Sequence, residues 1–164
     1  MMLIRAFHSS DAPGLRAVFH SAVHGLAASH YRPDQLDAWA PASYDAAGWA
    51  QRMCRIQPFV VEIDGHPVAY ADLQPDGLID HFFVAASHAR QGIGQQLMRH
   101  IVSLAGQRGL AHLHAYVSLA AEPFFVRNGF VIRQRQTVAV RGVALDNAWM
   151  VRVVRGDPGS VIKE

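Results

Sequence analysis

A short apolar stretch, Ile79-Asp80-His81-Phe82-Phe83-Val84, runs into Ala89-Arg90-Gln91-Gly92-Ile93-Gly94 and then into Gln95-Gln96-Leu97-Met98. The order is strand, polar turn with two glycines, and the opening of an amphipathic helix. Such a turn leaves backbone N–H groups unpaired at a helix N-terminus, where the positive end of the helix dipole favours an anion. Glycines let the backbone approach a phosphate without Cβ interference. The segment therefore predicts a phosphate-bearing ligand beside the end of a strand.

Residue identities separate the phosphate-binding turns that share this shape. A P-loop needs Lys-Ser or Lys-Thr after its last glycine, and Gly94 is followed by Gln95-Gln96. A dinucleotide fingerprint needs a third glycine where Leu97 stands. Neither fits.

What remains, Q/R-x-x-G-x-G/A after a strand ending in an apolar-Val pair, resembles the pyrophosphate-binding turn of the GNAT superfamily of N-acetyltransferases, which use acetyl-coenzyme A. Further on, Ala121-Glu122-Pro123-Phe124-Phe125-Val126-Arg127-Asn128-Gly129-Phe130 resembles the family's A-x-x-F-Y-x-x-x-G-F segment. As local structure it reads as a short helix with Gly129 at its C-terminal cap. Two motifs in this order and spacing go beyond what local structure requires. Three further segments, Tyr31–Pro41, Pro123–Phe125 and Val140–Asn147, resemble the YafP-like branch in particular. The resemblance runs from Ile4-Arg5 to about Val153.

Composition narrows the function classes. With 164 residues, 51% of them hydrophobic, the chain can bury one full core. No apolar run reaches membrane-spanning length, and the N-terminus does not look like a signal peptide. A single cysteine, Cys54, excludes an internal disulfide and suits a reducing cytoplasm. Net charge is +2, and the basic residues are scattered rather than striped, which argues against nucleic acid. His20 and His24, or His112 and His114, share a face but lack a carboxylate or cysteine partner, so no metal site is expected.

The predicted elements are a strand at Leu3–Phe7 and a helix capped by Ser9-Ser10-Asp11. A helix at Pro33–Trp39 and a turn or two near Trp49–Arg55 follow. Phe59–Ile63 and Pro67–Ala71 form a hairpin around Asp64-Gly65, and Leu78–Val84 is the next strand. A helix from Gly92 to Ala105, a strand at Leu110–Val117, a helix at Pro123–Asn128 and a hairpin around Arg141-Gly142 complete the set. This is an α+β fold: a mixed, mostly antiparallel sheet of about seven strands with helices on both faces. Residues 1–155 form a single domain, with 156–164 a frayed tail.

The resemblance implies a fold whose strands splay beside the glycine turn, with acetyl-CoA in the gap. Backbone groups of Phe82, Phe83 and Val84 would hold its pantetheine arm, the Val84 amide near the thioester oxygen. Ala89, Arg90, Gln91, Gly92, Ile93, Gly94 and Gln95 would hold the pyrophosphate, and Ser118 and Phe124 would flank the cofactor. Ala89 stands where the family has Gln or Arg, so backbone donors carry that contact. Some relatives place a general base at the Leu78 or Asp80 position; Leu78 has no titratable group, which leaves Asp80 as base or as anchor for the amine. His81 has a better ordinary pKa but the other strand parity, and Tyr116 follows it. Phe125 occupies the position of the family's acidic Tyr, so the thiolate would leave unassisted or take a proton from water or Tyr116. Tyr31, Gln35 and Trp39 would line the acceptor pocket. Asp34, Asp37 and Asp80 hint at a cationic acceptor. The implied activity is direct transfer of acetyl to a primary amine of a small molecule or a protein. A non-catalytic acyl-CoA-binding domain is the alternative. A homodimer through the last hairpin is also expected.

Overall fold

Two tight turns set the register of most of the sheet. At Asp64-Gly65 and at Arg141-Gly142 both central residues have positive φ (51° and 80°, 48° and 78°), the conformation whose twist matches two antiparallel strands. A computed structural model describes residues 1–154. In chain order the elements are β1 (Met2–Ala6), α1 (Ala12–Leu26), α2 (Pro33–Trp39), α3 (Ala46–Ile56), β2 (Phe59–Ile63), β3 (His66–Ala71), β4 (Phe82–Val84), α4 (Ile93–Gln107), β5 (His112–Ser118), α5 (Glu122–Arg127), β6 (Val131–Val140) and β7 (Val143–Val153). The expected tail, 156–164, lies outside the described residues.

The seven strands form two antiparallel ladders, β1-β2-β3-β4 and β5-β7-β6. One parallel bridge, Leu78 with His114, joins them. Its bonds are Ile79 N–H to His114 O at 2.9 Å and His114 N–H to Gly77 O at 3.0 Å. Beyond that seam β4 and β5 diverge, and the sheet opens into a V. The expected mixed, mostly antiparallel sheet is present, with helices on both faces.

One face is covered by α4 and α5, which bury Leu97, Met98, Ile101 and Phe125 against Val61, Ala69, Leu113 and Met150. The other is covered by α1, α2 and α3, which bury Leu15, Phe19, Leu36 and Met53 against Val60 and Tyr70. Burial of this kind contributes about 1.5–3 kcal/mol per large side chain and holds both walls of the V in place.

Two local expectations change. Asp11 occupies the position before α1, yet its carboxylate makes no cap bond to that helix. It accepts both arms of the Arg5 guanidinium at 2.8 Å and the His8 N–H at 2.8 Å, tying β1 to the start of α1. The strand expected over Leu78–Val84 is in the β3 ladder only at Phe82–Val84.

Candidate active site

Asp72 causes that interruption. Its Oδ1 accepts N–H groups from both Asp80 (2.9 Å) and His81 (2.7 Å). Successive N–H groups of an extended strand point to opposite edges, so two that converge on one oxygen cannot belong to a regular strand. The alternation expected from parity therefore breaks between residues 80 and 82. Asp80, His81 and Phe83 face one cavity on the α1–α3 side. Phe82 faces the other way, packed on Phe124 and Phe125 with ring centroids 5.4 and 5.8 Å away.

Past the kink, the ladder leaves one strand edge open. The Ala85 N–H donates to Val68 O, and His81 O accepts from Asp72 N–H. Alternation then directs the N–H and C=O groups of Phe82 and Val84 away from β3 and into the V. Among the described residues, no strand pairs with them there.

The glycine turn closes the end of this gap. Gly92 precedes α4 with φ of 80°, a conformation that favours glycine, and Arg90 has φ of 60°. Among the described residues, no protein acceptor takes the N–H groups of Arg90, Gln91, Gly92, Ile93, Gly94 or Gln95. Six donors thus converge near the positive end of a 15-residue helix. The turn itself is pinned from behind. Ser21 Oγ accepts the Ala86 N–H at 2.9 Å, and α1 approaches so closely at Gly25 that a Cβ there would lie 2.5 Å from Ala86 Cβ.

The resulting groove has a volume of about 450 Å³ and is bounded by Val84, Gly92, Gly94, Gln95, Ser118 and Phe124, with Val23 and Trp39 on the α1–α2 side. Its walls are apolar, and His88, Arg90 and Arg127 stand among its lining residues. A Cβ on Gly94 would project between Phe124 and Val84, 3.6 Å from each. The Gln95 side chain is held by Asn128 (2.9 Å).

The second cavity, about 540 Å³, lies on the α1–α3 side and is lined by Asp80, His81, Arg16, Arg52, Tyr44 and Arg141 among others. Trp39 and Phe83 line both cavities, so the two meet at this aromatic pair. Asp80 carries its carboxylate 3.8 Å from Arg52 and 3.9 Å from His81 Nε2. His81 is buried, and burial pushes its pKa down to about 3, so the ring is neutral near pH 7. Its Nδ1 lies 3.0 Å from the hydroxyl of Tyr70, which is fully buried and finds no other partner among the described residues. Satisfying that O–H requires it to donate to Nδ1, which assigns the proton to Nε2. His81 thus offers the cavity a hydrogen-bond donor, and the Asp80 carboxylate offers acceptor oxygens. Asp72, behind them, is raised to about 6 by burial.

The structure brings together most of the residues singled out in the sequence and separates a few. Tyr31 is buried; its hydroxyl donates to Asp146 O (2.6 Å) and accepts from Leu119 N–H (3.0 Å). Gln35 bridges Arg32 N–H and Ala144 O. Both tie α2 to its surroundings and line neither of the two cavities. Tyr116 is more than half exposed and packs on Trp149, its register partner on β7, outside both cavities. Ile93 sends its side chain into the core and Gln91 projects into solvent, so at those positions only the N–H groups face the turn. Asp34 is spent on Arg32 at the surface. Cys54 is exposed on α3 and lines neither cavity. Residues not singled out from sequence are Asp72, Arg16, Arg52 and Arg141. A carboxylate closing the run Ala69-Tyr70-Ala71-Asp72, and an arginine on the apolar stripe Ala12, Arg16, Phe19, Val23, were the available signals.

Residues 27–146 match the model of the acetyltransferase (GNAT) domain. The chain belongs to the GNAT acetyltransferases. It is 31% identical to YafP, an uncharacterized N-acetyltransferase of Escherichia coli (strain K12), over 90% of this chain and 93% of that protein. A GCN5-related N-acetyltransferase of Rhodopseudomonas palustris superposes with a TM-score of 0.87 at 32% identity, covering 92% and 94% of the two chains. PaiA N-acetyltransferase of Thermoplasma acidophilum, in complex with coenzyme A, superposes with a TM-score of 0.72 at 14% identity, covering 93% and 99%, a likeness of fold. The protein is an acyltransferase of this family. Among the described residues, no helix is long and apolar enough to cross a membrane.

Proposed function

We propose that this GNAT enzyme moves an acetyl group from acetyl-CoA to a primary amine by direct attack within a ternary complex. The meeting of two cavities at Trp39 and Phe83 carries the reading. One cavity has an open strand edge and a cradle of unpaired N–H groups, suited to an amide-containing arm and a pyrophosphate. The other has a carboxylate beside the same strand.

Acetyl-CoA would lie along Phe82 and Val84 as an added strand, its pyrophosphate on residues 89–95 and its apolar parts against Phe124. Arg90 and Arg127 supply cations at the phosphate end. The amine enters from the second cavity, and Asp80 takes its proton directly or through one water, with His81 Nε2–H and Arg52 holding the carboxylate oriented. The amine then attacks the thioester carbon. The Val84 N–H would donate to the thioester oxygen as negative charge develops there, and the C–S bond breaks to release CoA as thiolate. Phe125 is packed against Phe130 in the core, and Tyr116 is outside the site. The thiolate therefore leaves unassisted or is protonated by water, which its pKa of about 8.5 permits. Holding both reactants in one geometry supplies much of the acceleration.

The test is acetyl-CoA-dependent thiol release with a panel of small amines and peptides, alongside CoA titration by calorimetry. Saturable CoA binding with turnover of one amine class is expected. CoA binding without turnover would make the chain a CoA-binding domain, and no CoA binding would overturn the assignment of the groove.

A further inference from the structure

The acceptor cavity holds more positive than negative charge. Arg16, Arg52 and Arg141 line it, against Asp45 and Asp80. Of the carboxylates, Asp80 faces Arg52 and His81, and Asp45 stands at the start of α3 without a side-chain bond to that helix, which leaves three cations against two anions on the lining.

Arg16 is the unusual group. It is only 6% exposed, and the rings of Phe19, Tyr44 and Trp49 surround its guanidinium at 5.0, 4.3 and 5.1 Å. One hydrogen bond is made, to Pro41 O at 2.7 Å. Among the described residues it has no carboxylate partner. Arg141, at the exposed mouth of the cavity, bonds a carbonyl, Ala38 O at 2.7 Å, and no carboxylate among the described residues. Burial, and then the nearby charge of Arg141, hold the Arg16 guanidinium below its ordinary pKa. A buried guanidinium has five N–H donors, and cations withdrawn from water are stable only when paired. Arg16 is such a group, and Arg141, exposed at the mouth of the same cavity, adds a second guanidinium; together they form a site for an anion.

We infer that the acceptor is a zwitterionic small molecule, an α-amino acid or a close analogue, whose carboxylate binds Arg16 and Arg141 while its amine meets Asp80. This rests on the acetyl-transfer reading above and specifies its substrate. The planar fork of arginine matches a carboxylate in two parallel bonds. Its aromatic enclosure excludes water and strengthens the attraction. Of the three aspartates that hinted at a cationic acceptor, Asp80 lines this cavity, whereas Asp34 lies on the surface with Arg32 and neither it nor Asp37 does.

Matched pairs test this. Each common amino acid is compared with its decarboxylated amine and its methyl ester, for acetylation and for binding to the CoA-saturated protein by ligand-observed NMR. At least one amino acid should exceed both counterparts in kcat/KM, or in affinity, by about 10- to 100-fold, the range for a charge-assisted pair. In Arg141→Gln that ratio should collapse toward one, and Arg141→Lys should restore part of it. Arg16→Lys, which keeps the charge but loses the planar fork, provides a second variant should Arg141→Gln not fold, and it should lower the same ratio. Decarboxylated amines acetylated as well as their parent amino acids would overturn the inference while leaving acetyl transfer intact. So would the absence of any amino acid bound or acetylated. Failure to bind CoA would instead remove the reading beneath it.

Discussion

Asp72 sets where Asp80 and His81 point, through two backbone bonds to one buried oxygen. Asp72→Ala should cost about 1–3 kcal/mol by stranding a buried N–H, measured by urea denaturation, and should lower kcat through misplaced Asp80. The two buried titratable groups have opposite linkage. His81 titrates near 3 in the fold against about 6.5 unfolded, so its contribution is complete above pH 6.5 and is lost as pH falls toward 3. Asp72 titrates near 6 against 3.8, so its contribution is complete below pH 3.8 and is lost as pH rises through 6. Between 3.8 and 6 the slopes cancel, and variants separate them. Relative to Asp72→Asn, the wild type should lose stability as pH rises over that interval, at up to about 1.4 kcal/mol per unit. Relative to His81→Gln it should gain. Parallel pH curves for wild type and variants would contradict the burial of these groups. None of this was legible in sequence: strand parity placed Asp80 with Phe82, because the contact that breaks the strand comes from a side chain eight residues away.

At the scale of elements, the turn before α4 separates conformation from space. Gly92→Ala meets no atom within 4 Å but must hold φ at 80°, so it should lose about 1–2 kcal/mol of stability. Gly94→Val is the converse. Its backbone is helical, and its side chain projects between Val84 and Phe124 where the cofactor would run. Stability should change by less than about 1 kcal/mol, while CoA affinity falls at least about tenfold by calorimetry; unchanged affinity would place the cofactor elsewhere. These elements were legible for physical reasons. The hairpins carry turn residues that tolerate positive φ, and α2 begins at Pro33 and ends at Trp39 as its proline and spacing require. By contrast α3 extends to three turns, Ala46–Ile56, because its apolar face, Trp49, Met53 and Ile56, is sparse and gains its burial from α1 and Tyr70.

For the whole molecule, the seam at Leu78 and His114 decides how wide the V opens. Gly77, beside it, has φ of 93°, and a Cβ there would sit 2.2 Å from His112 O. Gly77→Ala should therefore destabilise by more than about 2 kcal/mol and weaken CoA binding from outside the groove, read by thermal denaturation and calorimetry together. The family, the glycine turn and the order of elements along the chain were visible in the sequence. The second cavity was not, because it is assembled from α1, α2, α3, β4 and the β6–β7 turn, segments with no shared local pattern. That convergence brings a carboxylate to the cavity that meets the glycine-turn groove at Trp39 and Phe83, where the proposed amine would enter. The most direct test is acetyl-CoA turnover by Asp80→Asn, with CoA affinity measured on the same preparation. Turnover reduced about 10²- to 10⁴-fold with CoA affinity within about twofold is the expected result; turnover retained at the wild-type level would contradict the role of Asp80.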